Sequence, residues 1–391
     1  HLNSFMEKII IINKTNGFYS EVLSYKFKIE FETINFYLNE NLNKSEKNII
    51  KEINDLIYKY KINYLVAEGD YLSLINYDFI SKIDCNKKIL FLTDDYDMHE
   101  VNFISAKAFD FIFTACPISN YRYLEKGFDS YFVPLEANKN LFKKSDTNKK
   151  YNISFFGAKK STRDEYLKYL NENNINVNLM GYNNPPDYNW ENLSKFISQS
   201  KIVLNFSNTG NKNKFYSHST IPHNFFSFKG RPIMVGLCDA LCLSEFSPAN
   251  QILFGQDLPS FNNKEELLKI CKFFLNDEAQ YMQAKNIFVK KCFEYEDHDY
   301  FRNILKTIIK KKIHKKNLIY SMPYWYIRVF FNQKIRNISK RSNLLVYIKE
   351  ISEALFFKIN KNKLFQIPII LENLVKFPLI IIKILINKFI R

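Results

Sequence analysis

Glycine is scarce in this chain, with nine among 391 residues, about 2% where roughly 7% is usual. The nine stand at positions 17, 69, 127, 157, 181, 210, 230, 236 and 255. Neither GxGxxG nor GxxxxGKS/T can therefore be written anywhere, which excludes a dinucleotide fingerprint and a Walker-type phosphate loop. Cysteine is sparse as well: Cys85, Cys116, Cys238, Cys242, Cys271 and Cys292 are scattered through apolar contexts. No second pair completes Cys238 and Cys242, and no histidine lies at ligand spacing, which argues against a zinc site and for buried, reduced thiols in a cytosolic protein. No apolar run reaches the roughly 18–20 residues of a spanning helix. The longest are broken by Glu372, Lys376, Pro378 and Lys383. No signal peptide is legible, and Met6 reads as a plausible start.

Acidic residues are missing between Lys306 and Lys349, and this absence locates the charge. Residues 306–391 hold 19 Lys and Arg against 3 Glu, net +16, which is the net charge of the whole chain. The remaining 305 residues carry equal numbers of basic and acidic side chains. A neutral body thus carries a strongly basic tail, and the two need separate explanations. With 46% hydrophobic and 16% aromatic residues the body buries large cores, so wholesale disorder is excluded. At roughly 150 residues per domain the length suggests two domains and a remainder.

Short apolar runs set the organisation. Lys8–Asn13, Asn63–Ala67, Lys88–Thr93 and Asp110–Ala115 read as buried strands with helix-length segments between them, such as Ser45–Tyr60. Strands of this kind alternating with helices mean a parallel sheet covered on both faces, with ligands beyond the carboxyl ends of the strands. The polar, charged stretch KKSDTNKK at 143–150 suits a linker. The alternation then restarts: strands over Asn152–Phe156, Asn176–Met180 and Ile202–Phe206, helices over Asp164–Asn173 and near Leu193–Ser200, and closing helices at Glu265–Asn276 and Glu278–Phe293. The expectation is two doubly wound, Rossmann-like α/β domains, 6–145 and 149–305, facing each other across a cleft. A helix from the tail, 306–391, would pack back onto the first.

Two segments carry the clearest chemistry. In Ser154–Arg163 a strand runs into Gly157, followed by Lys159, Lys160, Ser161, Thr162 and Arg163 at the expected start of a helix. Backbone amides there, with these cations, would seat a phosphate or diphosphate; the residues equally fit an ordinary strand–turn–helix with solvated lysines. In Lys229–Glu245, Lys229, Gly230 and Arg231 lead into an apolar helix, then a short strand ending at Glu245. A cation near a phosphate and a carboxylate near a sugar hydroxyl is what a nucleotide-sugar site requires, although a surface arginine and a strand-terminal glutamate account for the same letters. Asp94, Asp95 and Asp97 follow a strand: facing a cleft, one can orient or deprotonate an acceptor hydroxyl. Asp95-x-Asp97 also imitates a metal-binding carboxylate pair, and a helix N-cap cluster remains open. His223 lies in a long polar stretch and is a candidate for contact with donor or acceptor.

Taken together, Phe155, Phe156, Gly157 and Arg163, with Lys229, Gly230, Arg231, Leu243 and Glu245, resemble the GT-B glycosyltransferases of the CgeB-like (spore-maturation) and group 1 type. Phe91–Asp95, Asp110–Thr114 and Val133–Ala137 are similar to that family's first-domain landmarks, and the likeness covers about residues 85–305. It implies a metal-independent hexosyltransferase with no required cofactor and a UDP- or GDP-sugar donor. Gly157, Lys159, Arg163, Lys229, Arg231 and Glu245 would hold the donor, and Asp94, Asp95 and His223 would be catalytic. The acceptor would be a surface glycan, a lipid-linked saccharide or a protein. The family usually has Glu three residues after the Arg, where this chain has Met234, and often Gly where it has Asp239. Met234 therefore keeps open a non-catalytic relic that binds glycans or nucleotides.

The tail admits three occupants. Nucleic acid explains its charge but not the aliphatic runs around Ile367–Leu371 and Leu379–Ile386, and no nucleic-acid-binding signature is present. Anionic lipid explains both, through basic amphipathic helices lying on the surface. That places the protein in the cytoplasm, peripheral on the inner face of the cell membrane. A soluble helical extension or an oligomer contact is the plainer alternative.

Overall fold

The computed structural model describes residues 6–41, 44–69, 77–93, 95–134, 137–159, 161–182, 189–208, 226–296 and 299–313. Asp94, His223 and residues 314–391 of the tail lie outside the described residues. The first part of the chain runs β1 (Glu7–Asn13), α1 (Phe18–Phe27), β2 (Phe31–Tyr37), α2 (Glu46–Tyr60), β3 (Tyr64–Glu68), α3 (Tyr77–Ser81), β4 (Lys87–Leu92), α4 (Asp95–Ala106), β5 (Phe111–Thr114), α5 (Pro117–Glu125) and β6 (Asp129–Phe132). The second runs β7 (Tyr151–Phe156), α6 (Ser161–Glu172), β8 (Val177–Met180), α7 (Trp190–Ser198), β9 (Ser200–Asn205), α8 (Arg231–Leu237), β10 (Leu241–Glu245), α9 (Pro248–Phe254) and β11 (Ser260–Phe261). Three helices follow: α10 (Lys264–Asn276), α11 (Glu278–Glu296) and α12 (Asp299–Lys310).

Both sheets are parallel throughout, one of six strands in the order β2-β1-β3-β4-β5-β6 and one of five in the order β11-β10-β9-β7-β8. The isoleucine run of β1 shows why. Side chains alternate across a strand, and Ile9 and Ile11 enter one buried cluster while Ile10 and Ile12 enter another on the opposite face. A strand apolar on both faces needs cover on both, which βαβ crossovers supply. Helix α2 covers with Ile49, Ile50, Ile53 and Ile57, and Ser45 Oγ caps its start by accepting from the Asn48 amide at 3.2 Å. Strands β2 and β6 carry little continuous apolar sequence, because each lies at an edge and is only partly buried.

In each sheet the second strand lies outside the first and the third on its other side. This creates a topological switch point between β1 and β3 and another between β7 and β9, the places where open α/β sheets bind ligands. Residues 137–150 lead from one sheet to the other, and α11 and α12 lead back. At the return, Glu296 ends α11 with a buried carboxylate 2.8 Å from Lys26 Nζ of α1, and it also accepts from the Lys139 amide at 3.4 Å. Helix α12 then packs on the first sheet, with Phe301 edge-on to Phe27 and Phe113 at 5.4 and 5.8 Å. Lys87 Nζ donates to the last-turn carbonyls of Ile308 and Ile309 at 2.8 and 2.7 Å, satisfying groups a helix end leaves open. The helix that returns to the first sheet therefore straddles the expected boundary between 305 and 306. No helix among the described residues is long and apolar enough to cross a membrane.

None of the six cysteines is in a disulfide; five are buried and Cys85 is half-buried. Burial pushes the thiols up, Cys116 and Cys238 to about 11 and Cys271 to about 12. At neutral pH this holds them as protonated thiols.

Candidate functional site

The switch point of the second sheet is where β7 ends at Phe156 and β9 at Asn205. Gly157 turns the chain away from β7 with φ 130°, a conformation L side chains rarely adopt. A Cβ placed on it would lie 3.0 Å from Arg231 Nη2 and 3.8 Å from Arg163 Nη1. Two guanidinium groups from separate helices thus converge on one turn. Arg163, in the first turn of α6, is 4% exposed and donates from Nη1 to the Ala158 carbonyl at 2.6 Å. Arg231 opens α8, is 8% exposed, and donates from Nη1 to Asn205 Oδ1 at 2.5 Å. Both stack on the Phe155 ring, at 5.5 and 5.1 Å, and Arg231 also lies 5.0 Å from the Phe156 ring. The negative faces of the rings help to hold cations that burial would otherwise penalise. Two adjacent buried positive charges are a ready seat for a multiply charged anion.

Glu245 ends β10 beside them, 3% exposed. Its Oε2 accepts from the backbone amides of Ser207 and Asn208, both at 2.8 Å, and the Tyr166 hydroxyl donates to its side chain. Burial raises its carboxyl above the usual range, against the pull of these donors and of the nearby Arg163. Tyr166 in turn is pushed up to about 12, by burial first and then by Glu245. The site therefore offers cations for an anion and, next to them, a carboxylate with defined acceptor geometry.

The structure brings together Gly157, Arg163, Arg231 and Glu245 from the residues expected of this site. Lys159 stands at the margin, 63% exposed and 3.9 Å from Asp164. Lys229 is half-buried two positions before Arg231. Met234 is buried within α8. Asp239 takes the left-handed conformation, φ 58°, which explains why glycine suits that position. Lys285 and Lys144 hold its carboxylate at 2.9 and 3.0 Å and depress its pKa against burial, while Lys149 donates to its carbonyl at 2.7 Å. Asn205 and Tyr166 join the site only through the structure. The signals were a polar residue closing an apolar strand and a tyrosine one helical turn after Arg163, on the same face.

In the first sheet Asp95 has no exposed surface. It accepts from Asn102 Nδ2 at 3.0 Å, Thr114 Oγ1 at 2.9 Å and Tyr123 OH at 3.3 Å, with His99 Nδ1 at 3.8 Å. As placed, its carboxylate ties α4 to β5 and α5. The next residue, Tyr96, donates to the Ala115 carbonyl at 2.8 Å and also meets the backbone of Phe228. The head of α4 thus touches the segment leading into Lys229 and Arg231. Among the described residues no three His, Cys, Asp or Glu side chains cluster as metal ligands would.

No protein-family model matches this chain, and no curated protein matches its sequence. Solved structures do. Sucrose-phosphate synthase (tll1590) from Thermosynechococcus elongatus superposes with a TM-score of 0.52 at 10% identity, covering 78% of this chain and 98% of that one. Anabaena Alr3699/HepE in complex with UDP-glucose gives 0.51 at 10% identity, covering 78% and 98%. T4 phage BGT in complex with its UDP-glucose substrate gives 0.50 at 13% identity, covering 78% and 100%. At these identities the likeness is one of fold. With two parallel sheets of six and five strands, this chain has the GT-B fold.

Proposed function

We propose that this chain transfers a hexose from a nucleotide-diphosphate donor to a surface glycan, a lipid-linked saccharide or a protein, as a relative of the CgeB-like and group 1 enzymes. The observation that carries the reading is the convergence of Arg163 and Arg231 on the Gly157 turn, at the switch point of the second sheet and beside the buried Glu245. Residues 149–305 are assigned the donor. Gly157, Lys159, Arg163, Lys229 and Arg231 would face its diphosphate and Glu245 its hydroxyls. Residues 6–145 are assigned the acceptor. Asp94, adjacent to the enclosed Asp95, would orient or deprotonate the acceptor hydroxyl, and His223 would contact donor or acceptor. As the acceptor oxygen bonds to the anomeric carbon, the bond from that carbon to the diphosphate breaks. Preorganised cations stabilise the departing charge, so the scheme requires no metal and no cofactor.

Titration of the full chain with UDP- and GDP-sugars tests this, UDP-glucose first because it is the ligand of the HepE and BGT complexes. Binding is expected to weaken at least tenfold in Arg163→Met and in Arg231→Met. Failure of every nucleotide sugar to bind refutes the donor site, and binding without turnover points to Met234, where the resembling family carries Glu.

The basic tail, 306–391, is assigned to an anionic membrane surface, making the protein peripheral on the cytoplasmic face. Each Lys or Arg near such a surface contributes about 1 kcal/mol. Flotation with anionic vesicles at low salt is expected to carry the full chain upward and to leave a chain lacking 314–391 behind; equal behaviour of the two removes this assignment.

A further inference from the structure

We infer that Asp239 is a regulatory clasp between the donor site and the two segments that join the sheets. It fastens both segments to the far end of α8, whose first residue is Arg231. The inference rests on the donor-site reading above and adds to it a route of regulation.

Helix α8 is seven residues long and buried throughout, with Arg231 at its start and Asp239 two positions past its end at Leu237. The two oxygens of the Asp239 carboxylate go to different segments. Oδ1 lies 2.9 Å from Lys285 Nζ on α11, the returning helix, and Oδ2 lies 3.0 Å from Lys144 Nζ on the outgoing linker. The Asp239 carbonyl accepts from Lys149 Nζ at 2.7 Å, near the other end of that linker, and Lys149 also reaches the Ser200 carbonyl at 2.8 Å. Aspartate keeps φ 58° here, in the left-handed region that favours glycine. A glycine would relax this turn, but it would bring no carboxylate to Lys144 and Lys285.

The rest of the linker is fastened to the second sheet as well. The Lys143 and Ser145 amides donate to Ser194 Oγ and Ser198 Oγ at 3.3 and 3.2 Å. The Lys150 and Tyr151 amides share the Gln199 carbonyl at 2.7 and 3.0 Å. Helix α8 is in turn pressed on α11: a Cβ on Gly236 would lie 2.3 Å from Cys292 Sγ, so the helices meet there with no side chain to spare. Interiors packed this closely transmit displacement instead of absorbing it. A ligand that shifts or stiffens the Arg231 end acts on a short strut, and the effect reaches Asp239, α11 and residues 143–151 together.

The test is hydrogen–deuterium exchange of the full chain, read over residues 143–151, with and without UDP and, in parallel, GDP. Wild type is compared with Asp239→Asn, which tolerates the left-handed turn and removes the charge, and with Lys144→Met. Without ligand, Asp239→Asn is expected to speed exchange there about tenfold or more. Lys144→Met loses an ion pair whose lysine is 69% exposed, and is expected to speed it about two- to fivefold. The diphosphate is expected to slow exchange over 143–151 about threefold or more in wild type, and to leave it nearly unchanged in Asp239→Asn while still binding. Unchanged exchange in both ligand-free variants overturns the clasp. A diphosphate that binds wild type without changing 143–151, or that slows exchange equally in Asp239→Asn, overturns the transmission. Should Asp239→Asn not fold, Lys144→Met decides by the same two comparisons. If wild type binds neither diphosphate, the donor-site reading fails and the transmission with it, while the ligand-free comparison still decides the clasp.

Discussion

Replacing Gly157 by alanine is the sharpest test of the site's geometry, because one methyl group meets two independent constraints. The backbone stands at φ 130°, where an L-residue costs about 1–3 kcal/mol. The new Cβ would also lie 3.0 Å from Arg231 Nη2, closer than ordinary van der Waals contact. Arg231 has little room to yield, being tied to Asn205 and stacked on two phenylalanine rings. The guanidinium must shift by tenths of an ångström or the turn must open. We expect a loss of about 2 kcal/mol, which at roughly 2–4 °C per kcal/mol lowers Tm by about 4–8 °C. A charge-assisted hydrogen bond is worth about 1.5–3 kcal/mol, so forfeiting half of one weakens UDP binding about three- to tenfold. Gly255→Ala is the control. Gly255 also has positive φ, 56°, but an added Cβ meets nothing within 4 Å, so it carries backbone strain alone, about 1–3 kcal/mol, and leaves UDP affinity unchanged. Differential scanning calorimetry and titration on both variants decide the matter. If Gly157→Ala costs no more stability than Gly255→Ala and keeps its UDP affinity, the guanidinium groups do not converge on this turn.

Two further outcomes follow from buried charges. The Glu245 carboxyl is raised by burial, so the fold favours its neutral form; stability should fall as pH rises from the ordinary glutamate range through the raised value and level off above it. Glu245→Gln should flatten that segment of a Tm-against-pH profile while weakening donor-sugar binding, and an unchanged slope would show that this carboxylate is not the titrating group. Lys26→Met strands the Glu296 carboxylate between α1 and α11 and is expected to cost about 3–5 kcal/mol in urea denaturation, with much of the loss recovered in the Lys26→Met, Glu296→Met double variant; a single variant as stable as wild type would refute the pairing.

Local periodicity made most of the fold legible. The runs at β1, β3, β4, β5, β7 and β9 are strands within one or two residues of their expected limits, because a strand buried on both faces must be apolar on successive residues. The edge strands β2 and β6 carry no such signal, since half-burial leaves no continuous apolar run. The convergence of Gly157, Arg163, Arg231 and Glu245 was foreshadowed by charged residues and a glycine placed at strand ends and helix starts. Asp95 shows where residue type stops being informative: a carboxylate after a strand can point outward or inward, and here Asn102, Thr114 and Tyr123 surround it.

By itself the sequence determined the strand–helix alternation, its restart after the polar stretch at 143–150 and the concentration of positive charge in 306–391, all of which depend on neighbours along the chain. Only the tertiary structure decided that β9 lies beside β7 with β8 outside it. That order brings Asn205 to Gly157 and lets helices far apart in sequence aim Arg163 and Arg231 at one turn. Hydrophobic patterning specifies which face of a strand is buried but not which strand lies next to it, and the site is made of that adjacency.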